Sequence, residues 1–155
     1  MSQRVELAGL AATEAFGAQI AAKLRPGDVV ALSGGLGAGK TTLARAIIAA
    51  LGHVGEVPSP SFAIFEIYEA PQMRLPVVHA DFYRLAKPAE VAELGLDDYR
   101  EGAALIAEWP EHAGGFAHEP ACLSISFADA PETVASLRVA LVEPGADWLG
   151  REPWM

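Results

Sequence analysis

The apolar positions along this chain change their period several times, and each change marks an element. Over Thr13 to Leu24, TEAFGAQIAAKL, the residues Phe16, Ile20 and Leu24 recur once per helical turn, and Arg-Pro-Gly-Asp then stops the helix and turns the chain. DVVALS, residues 28–33, is a short apolar run of strand length. GGLGAGK follows, and then TTLARAIIAAL, a helix that Gly52 closes at its C-terminal cap. The spacing therefore predicts strand, glycine loop and helix in succession over residues 28–52.

Further along, FAIFEIYE (62–69) is rich in aromatic and β-branched residues, and APQMRLP separates it from LPVVHADFY, which predicts two strands joined by a turn. PAEVAEL has proline at a helix start and Gly95 just past its end, so a short helix is expected there. AALIAE (103–108) is another short apolar run, and ACLSISFAD and TVASLRVALVE read as two last strands. The tail from Pro144 to Met155 holds two tryptophans without periodicity and is assigned no element. Helices alternate with the early strands while the later strands follow one another closely. This order predicts an α/β fold, a mostly parallel sheet with antiparallel additions flanked by helices, in a single domain over residues 1–155.

Composition narrows the class. A chain of 155 residues with 52% hydrophobic and 20% charged side chains is ordinary globular material. It is long enough to bury roughly 70% of the surface its unfolded form exposes. Cys122 is the only cysteine, which excludes an internal disulfide and a cysteine-cluster metal site, and its apolar neighbours predict a buried structural thiol. The N-terminal stretch lacks a basic start and a continuous apolar core, and no 18 consecutive apolar residues occur, so a soluble cytoplasmic protein is expected. The formal charge of -9 repels nucleic acid; if the protein serves an RNA pathway, a partner is expected to hold the RNA.

Gly34, Gly39, Lys40 and Thr41 match the phosphate-loop (Walker A) pattern G-x-x-x-x-G-K-[ST], with a strand before it and a helix after it. Glycines let consecutive amide N–H groups converge on phosphate oxygens with no Cβ in the way, and Lys40 adds a mobile positive charge. The Thr41 hydroxyl can ligate magnesium, and the positive end of the following helix favours the same anion. LSGG at 32–35 imitates the transporter ATPase signature, but here it is the strand end and the loop itself.

A nucleoside triphosphate brings magnesium, which takes one or two carboxylates besides water and phosphate oxygens. Asp81 follows the apolar run LPVVHA and Glu108 follows AALIA, and strand C-terminal ends line the ligand crevice of such a sheet. Either could ligate the metal or position the attacking water, and spacing alone does not divide these roles. His79 reads as a packed or hydrogen-bonded core histidine, and Asp97, Asp98 and Glu101 as a solvated helix face. Arg84 reads as a partner for nearby acids rather than for a phosphate. Trp109 either shields the nucleotide or packs, and Pro58 to Phe62 (PSPSF) forms either a switch-like loop or a rigid turn.

The guanine-recognition motif Asn-Lys-x-Asp is impossible because the chain has no asparagine, leaving ATP as the expected nucleotide. The arginines are scattered, with no lid segment of the kind a small-molecule kinase carries. GGLGAGKTT, SPSFAIFEIY, HADFYRL, GLDDY and IAEWPEH together resemble, in order and spacing over about residues 4–142, the motif series of the TsaE (formerly YjeE) family. This is the bacterial ATPase family of tRNA threonylcarbamoyladenosine biosynthesis. The resemblance implies a P-loop NTPase fold with a seven-stranded sheet, weak intrinsic ATP hydrolysis and work alongside TsaB and TsaD proteins. Their product is the modified adenosine next to the anticodon of tRNAs reading codons that begin with A.

By that resemblance Thr41 and Glu108 hold magnesium, and Asp81 contacts the nucleotide site and is needed for activity. The candidate set is thus Lys40, Asp81 and Glu108 for catalysis, and Leu36, Gly37, Ala38, Gly39, Lys40, Thr41, Thr42 and Asp81 for ATP. Two departures stand out. Serine at 61 replaces the threonine of the family's SPT loop, keeping the hydroxyl, and Arg138 lies slightly later than the family's arginine near the last hairpin. An ATP-switched binding module that does not hydrolyse, and a small-molecule kinase, are the alternatives in function.

Overall fold

A computed structural model describes residues 2–35, 39–60, 64–69, 71–128 and 137–151. The chain runs β1 (Gln3–Ala8), α1 (Leu10–Lys23), β2 (Val29–Ser33), α2 (Lys40–Ala50), β3 (Phe65–Tyr68), β4 (Val77–Asp81), α3 (Glu90–Glu93), α4 (Leu96–Arg100), β5 (Ala104–Glu108), β6 (Cys122–Ala128) and β7 (Leu137–Pro144). Short 3-10 turns follow β5 at Pro110–Ala113 and β7 at Ala146–Trp148. All seven strands join one sheet in the order β1-β7-β6-β2-β5-β4-β3.

The centre of the sheet is parallel: β2 pairs with both β5 and β6, and β4 pairs with β5. The antiparallel members are β7 against β6 and β1, and β3 against β4. Every residue of β4 and β5 is buried, because side chains pack on both sheet faces, which is why these strands read as unbroken apolar runs. On one face Val30, Leu32 and Ile106 meet Phe16 and Ile20 of α1 and Leu43, Ile47 and Ile48 of α2. On the other, Val29, Ala31, Leu105 and Ala107 meet Phe82, Leu96 and Phe116. The expected α/β fold is therefore observed, as a mixed sheet whose core is parallel and whose additions are antiparallel.

The sequence pattern accounts for six of the strands, and β1 is the seventh. In β1 only Val5 and Leu7 face inward while their neighbours are half-buried or exposed, an alternation that acquires meaning once β7 lies beside it in the register Val5↔Ala140. Helix α1 starts at Leu10, three residues before the expected Thr13. The described part of the tail packs closely. Trp148 is fully buried and its indole N–H donates to Ala121 O at 2.6 Å, while Arg151 pairs with Asp28 at 2.6 Å and lies over the Trp148 ring. Asp28 also accepts the Arg25 N–H at 2.7 Å, so the tail clamps the turn that feeds β2. Cys122 is buried as expected, and burial raises its thiol pKa. Among the described residues no helix is long and apolar enough to cross a membrane.

Helices α1 and α2 lie close enough that Gly17 is the only residue type that fits at its position. A Cβ built there would come within 2.6 Å of Ala46 Cβ and 3.1 Å of its backbone. Gly17→Ala should therefore destabilise the protein by about 1–3 kcal/mol despite a helix-propensity gain of about 1 kcal/mol. The urea midpoint measures this, and an unchanged or higher midpoint would show that the two helices separate without cost.

Candidate active site

The site forms where β2, β5 and β4 end level with one another. The register pairs Leu32 with Glu108 and Glu108 with Asp81, so both carboxylates emerge at the same edge, beside the loop that leaves β2. Gly34 and Gly35 turn the chain off the sheet, and Leu36, Gly37 and Ala38 lie outside the described residues. Gly39 caps α2 in the left-handed region at φ 111. A Cβ on it would make only ordinary contact with Phe127, at 3.6 Å, so the backbone conformation rather than space demands glycine. The same construction lies 4.0 Å from Arg138 Cδ, which places that arginine's side chain next to the loop.

Lys40 opens α2 and is only 5% exposed. Its ammonium donates to the carbonyls of Gly34 at 2.8 Å and Gly35 at 2.7 Å and sits 4.4 Å from the centre of the Trp109 ring. Burial lowers its pKa below the ordinary 10.5, against the opposing pull of Glu108, Asp81 and Glu111. An anion at the N-terminus of α2 would face this charge and the positive end of the helix together. Thr42 follows, half-buried on the first turn.

Glu108, 1% exposed, is held at both oxygens. Oε1 accepts the Thr41 hydroxyl at 2.6 Å, and Oε2 lies 2.7 Å from His79 Nε2. A carboxylate only accepts, so Nε2 carries the proton in this contact. The expected core histidine is thus hydrogen-bonded to a residue of the site, a role hidden in the sequence because it depends on β4 lying beside β5. Asp81 is 6% exposed; its Oδ1 accepts the Tyr83 N–H at 3.0 Å and its Oδ2 lies 3.5 Å from Ser59 Oγ. Its own N–H donates to Ile64 O at 2.7 Å, and Ile64 N–H donates to Pro60 O at 2.7 Å. The segment after α2 is thereby fastened to the end of β4. Ile64 adopts φ 71, an unfavourable region for a β-branched residue. Ser61 and Phe62 lie outside the described residues.

Trp109 also occupies the left-handed region, at φ 55, and its N–H donates to Leu32 O at 3.2 Å. That turn takes the chain off β5 and lays the indole over Lys40. Tyr83 and His112 pack around the ring, with centroids 4.9 and 5.4 Å from it. Glu111 follows, and its carboxylate accepts from Ser33 Oγ at 3.4 Å. The structure thus brings Lys40, Thr41, Asp81 and Glu108 together. It leaves Asp97, Asp98, Glu101 and Arg84 exposed.

Among the described residues no group of three or more His, Cys, Asp or Glu side chains is placed to hold a metal ion. A hydroxyl and a carboxylate 2.6 Å apart, with a second carboxylate on the next strand, are hard oxygen atoms that could ligate a cation alongside water and phosphate. The profile of the family described as "Threonylcarbamoyl adenosine biosynthesis protein TsaE" matches residues 7–136. The chain belongs to the TsaE family. The tRNA threonylcarbamoyladenosine biosynthesis protein TsaE of Rickettsia prowazekii is 38% identical over 100 residues, covering 64% of this chain and 68% of that protein. Its counterpart from Streptomyces coelicolor is 43% identical over 97 residues, covering 62% and 66%. Among solved structures, YdiB of Bacillus subtilis superposes with a TM-score of 0.71 at 29% identity, covering 92% of this chain and 84% of that one.

The buried Lys40 charge yields a prediction. A lysine whose folded pKa lies below its unfolded value destabilises the fold at neutral pH, and the penalty fades as pH rises from the folded pKa towards 10.5. Lys40→Met should raise the thermal midpoint of the nucleotide-free protein near neutrality, by an amount that shrinks as pH approaches 10.5. A midpoint below wild type at pH 7 would contradict it.

Proposed function

We propose that this chain is a magnesium-dependent ATPase of tRNA threonylcarbamoyladenosine formation, working in the cytoplasm as one P-loop domain. In this reading it acts with TsaB and TsaD type proteins, at the adenosine next to the anticodon of tRNAs reading codons that begin with A. The observation that carries the reading is the Thr41–Glu108 hydrogen bond beside the buried Lys40 ammonium, at the C-terminal edge of a parallel sheet. Membership of the TsaE family supplies the pathway.

In this account the loop amides from Leu36 to Thr42 and the Lys40 ammonium bind the phosphates. Thr41 and Glu108 would hold the magnesium ion, which when bound offsets charge on the terminal phosphates. Asp81, adjacent to Glu108 and within reach of Ser59, orients the attacking water or the nucleotide. Hydrolysis breaks the bond between the β and γ phosphates, with water supplying the oxygen, and leaves ADP and phosphate. Trp109 keeps bulk water from Lys40, which strengthens the charge interaction there. The negative surface suits a division of labour in which the partner proteins hold the tRNA.

Reconstituted modification followed over many turnovers, with ATP hydrolysis measured in the same tubes, tests this reading. Wild type should sustain both; Lys40→Ala should abolish both, and Glu108→Ala should cut hydrolysis by about a hundredfold or more. Unchanged rates with both variants would overturn the site. Sustained modification without this chain would overturn the pathway, and modification that needs ATP binding but no hydrolysis would favour the switch.

A further inference from the structure

We infer that His79 is a positioning residue for the metal-holding carboxylate: its Nε2–H fixes Glu108 Oε2 and thereby aims Oε1 at the place shared with the Thr41 hydroxyl. The inference rests on the proposed role of Glu108. The geometry behind it is specific. His79 is fully buried on β4 and Glu108 nearly so on β5. In the register His79 lies opposite Ile106, so the imidazole reaches diagonally, two residues along the neighbouring strand, to make a 2.7 Å contact.

Packing alone does not account for this histidine. Its second nitrogen, Nδ1, is buried and has no hydrogen-bond partner among the described residues, so the ring keeps an unsatisfied polar atom between the apolar Val78 and Ala80 of β4. An apolar side chain of similar size would pack in β4 without an unpaired ring nitrogen, but it would leave the buried Glu108 Oε2 without its donor. What the imidazole adds is the Nε2–H on Glu108. With Oε2 held by His79, the carboxyl cannot rotate away when the Thr41 hydroxyl gives up its contact with Oε1 to a cation. Outer hydrogen bonds of this kind set the orientation of metal-holding side chains, and losing one typically costs ten- to a hundredfold in metal affinity.

Two polar replacements separate the hydrogen bond from the bulk. Glutamine at 79 carries an amide N–H at about the reach of Nε2, whereas asparagine stops short of Glu108. Nucleotide affinity is measured by calorimetry, with EDTA and across a magnesium titration, for wild type, His79→Gln, His79→Asn and Glu108→Ala. The inference predicts similar affinity in EDTA for the three chains that keep Glu108. It predicts a magnesium midpoint near wild type for His79→Gln and one raised about tenfold or more for His79→Asn. Equal midpoints for the two His79 variants, whether normal or raised, would overturn it, because the amide's reach would then not matter. Affinity in EDTA reports whether each variant folds. Glu108→Ala separates the two readings: if its loss of magnesium dependence is not shared by His79→Asn, only the positioning role fails. If wild type itself shows no magnesium dependence, the metal site fails with it.

Discussion

The site is organised around one buried carboxylate. Glu108 sits almost without solvent at the end of a central strand, where an uncompensated charge would be untenable, and it is compensated by donors from two different elements. Thr41 comes from the first turn of α2 and His79 from the neighbouring strand. The carboxylate therefore links the helix that follows the phosphate loop to the sheet beneath it. Removing either donor leaves a buried oxygen short of a partner. The arrangement thus sets the place of α2 and the chemistry of the site with the same atoms.

That arrangement requires the rest of the fold. Helix α2 can bring Thr41 to Glu108 only because it lies against β2 and β5 through Leu43, Ile47 and Ile48 and against α1 through the absent side chain of Gly17. The level ending of β2, β4 and β5 then puts Asp81, Glu108 and the loop after Ser33 within one side-chain length of each other. At the opposite end of β2 the Arg151–Asp28 pair and the buried Trp148 clamp the turn where the strand begins. Local strain is concentrated near the chemistry, since Ile64 and Trp109, the two non-glycine residues at positive φ among those described, both flank the carboxylates.

The strand, loop and helix around Lys40 were legible because three signals coincide there: an apolar run, a fixed glycine–lysine–threonine spacing and a one-turn periodicity. Asp81 and Glu108 stood out because a carboxylate directly after an apolar run is costly unless the strand ends there at a ligand. What escaped the sequence depends on neighbours distant along the chain. The two inward residues of β1 make sense only opposite β7, more than 130 residues later. The contact of His79 needs the β4–β5 pairing and a diagonal reach of two residues. The left-handed turn at Trp109, which lays an indole over the lysine, carries no compositional signal because glycine is the residue that usually marks such a turn.

In the proposed site Thr41 and Glu108, one from the helix and one from the sheet, act as a single metal-holding unit. A double-mutant cycle on magnesium-dependent nucleotide affinity, with Thr41→Ala, Glu108→Ala and the pair, addresses it directly. Either single change should remove most of the magnesium dependence, and the double variant should lose little more. Fully additive losses would mean that the two side chains act independently and would contradict it.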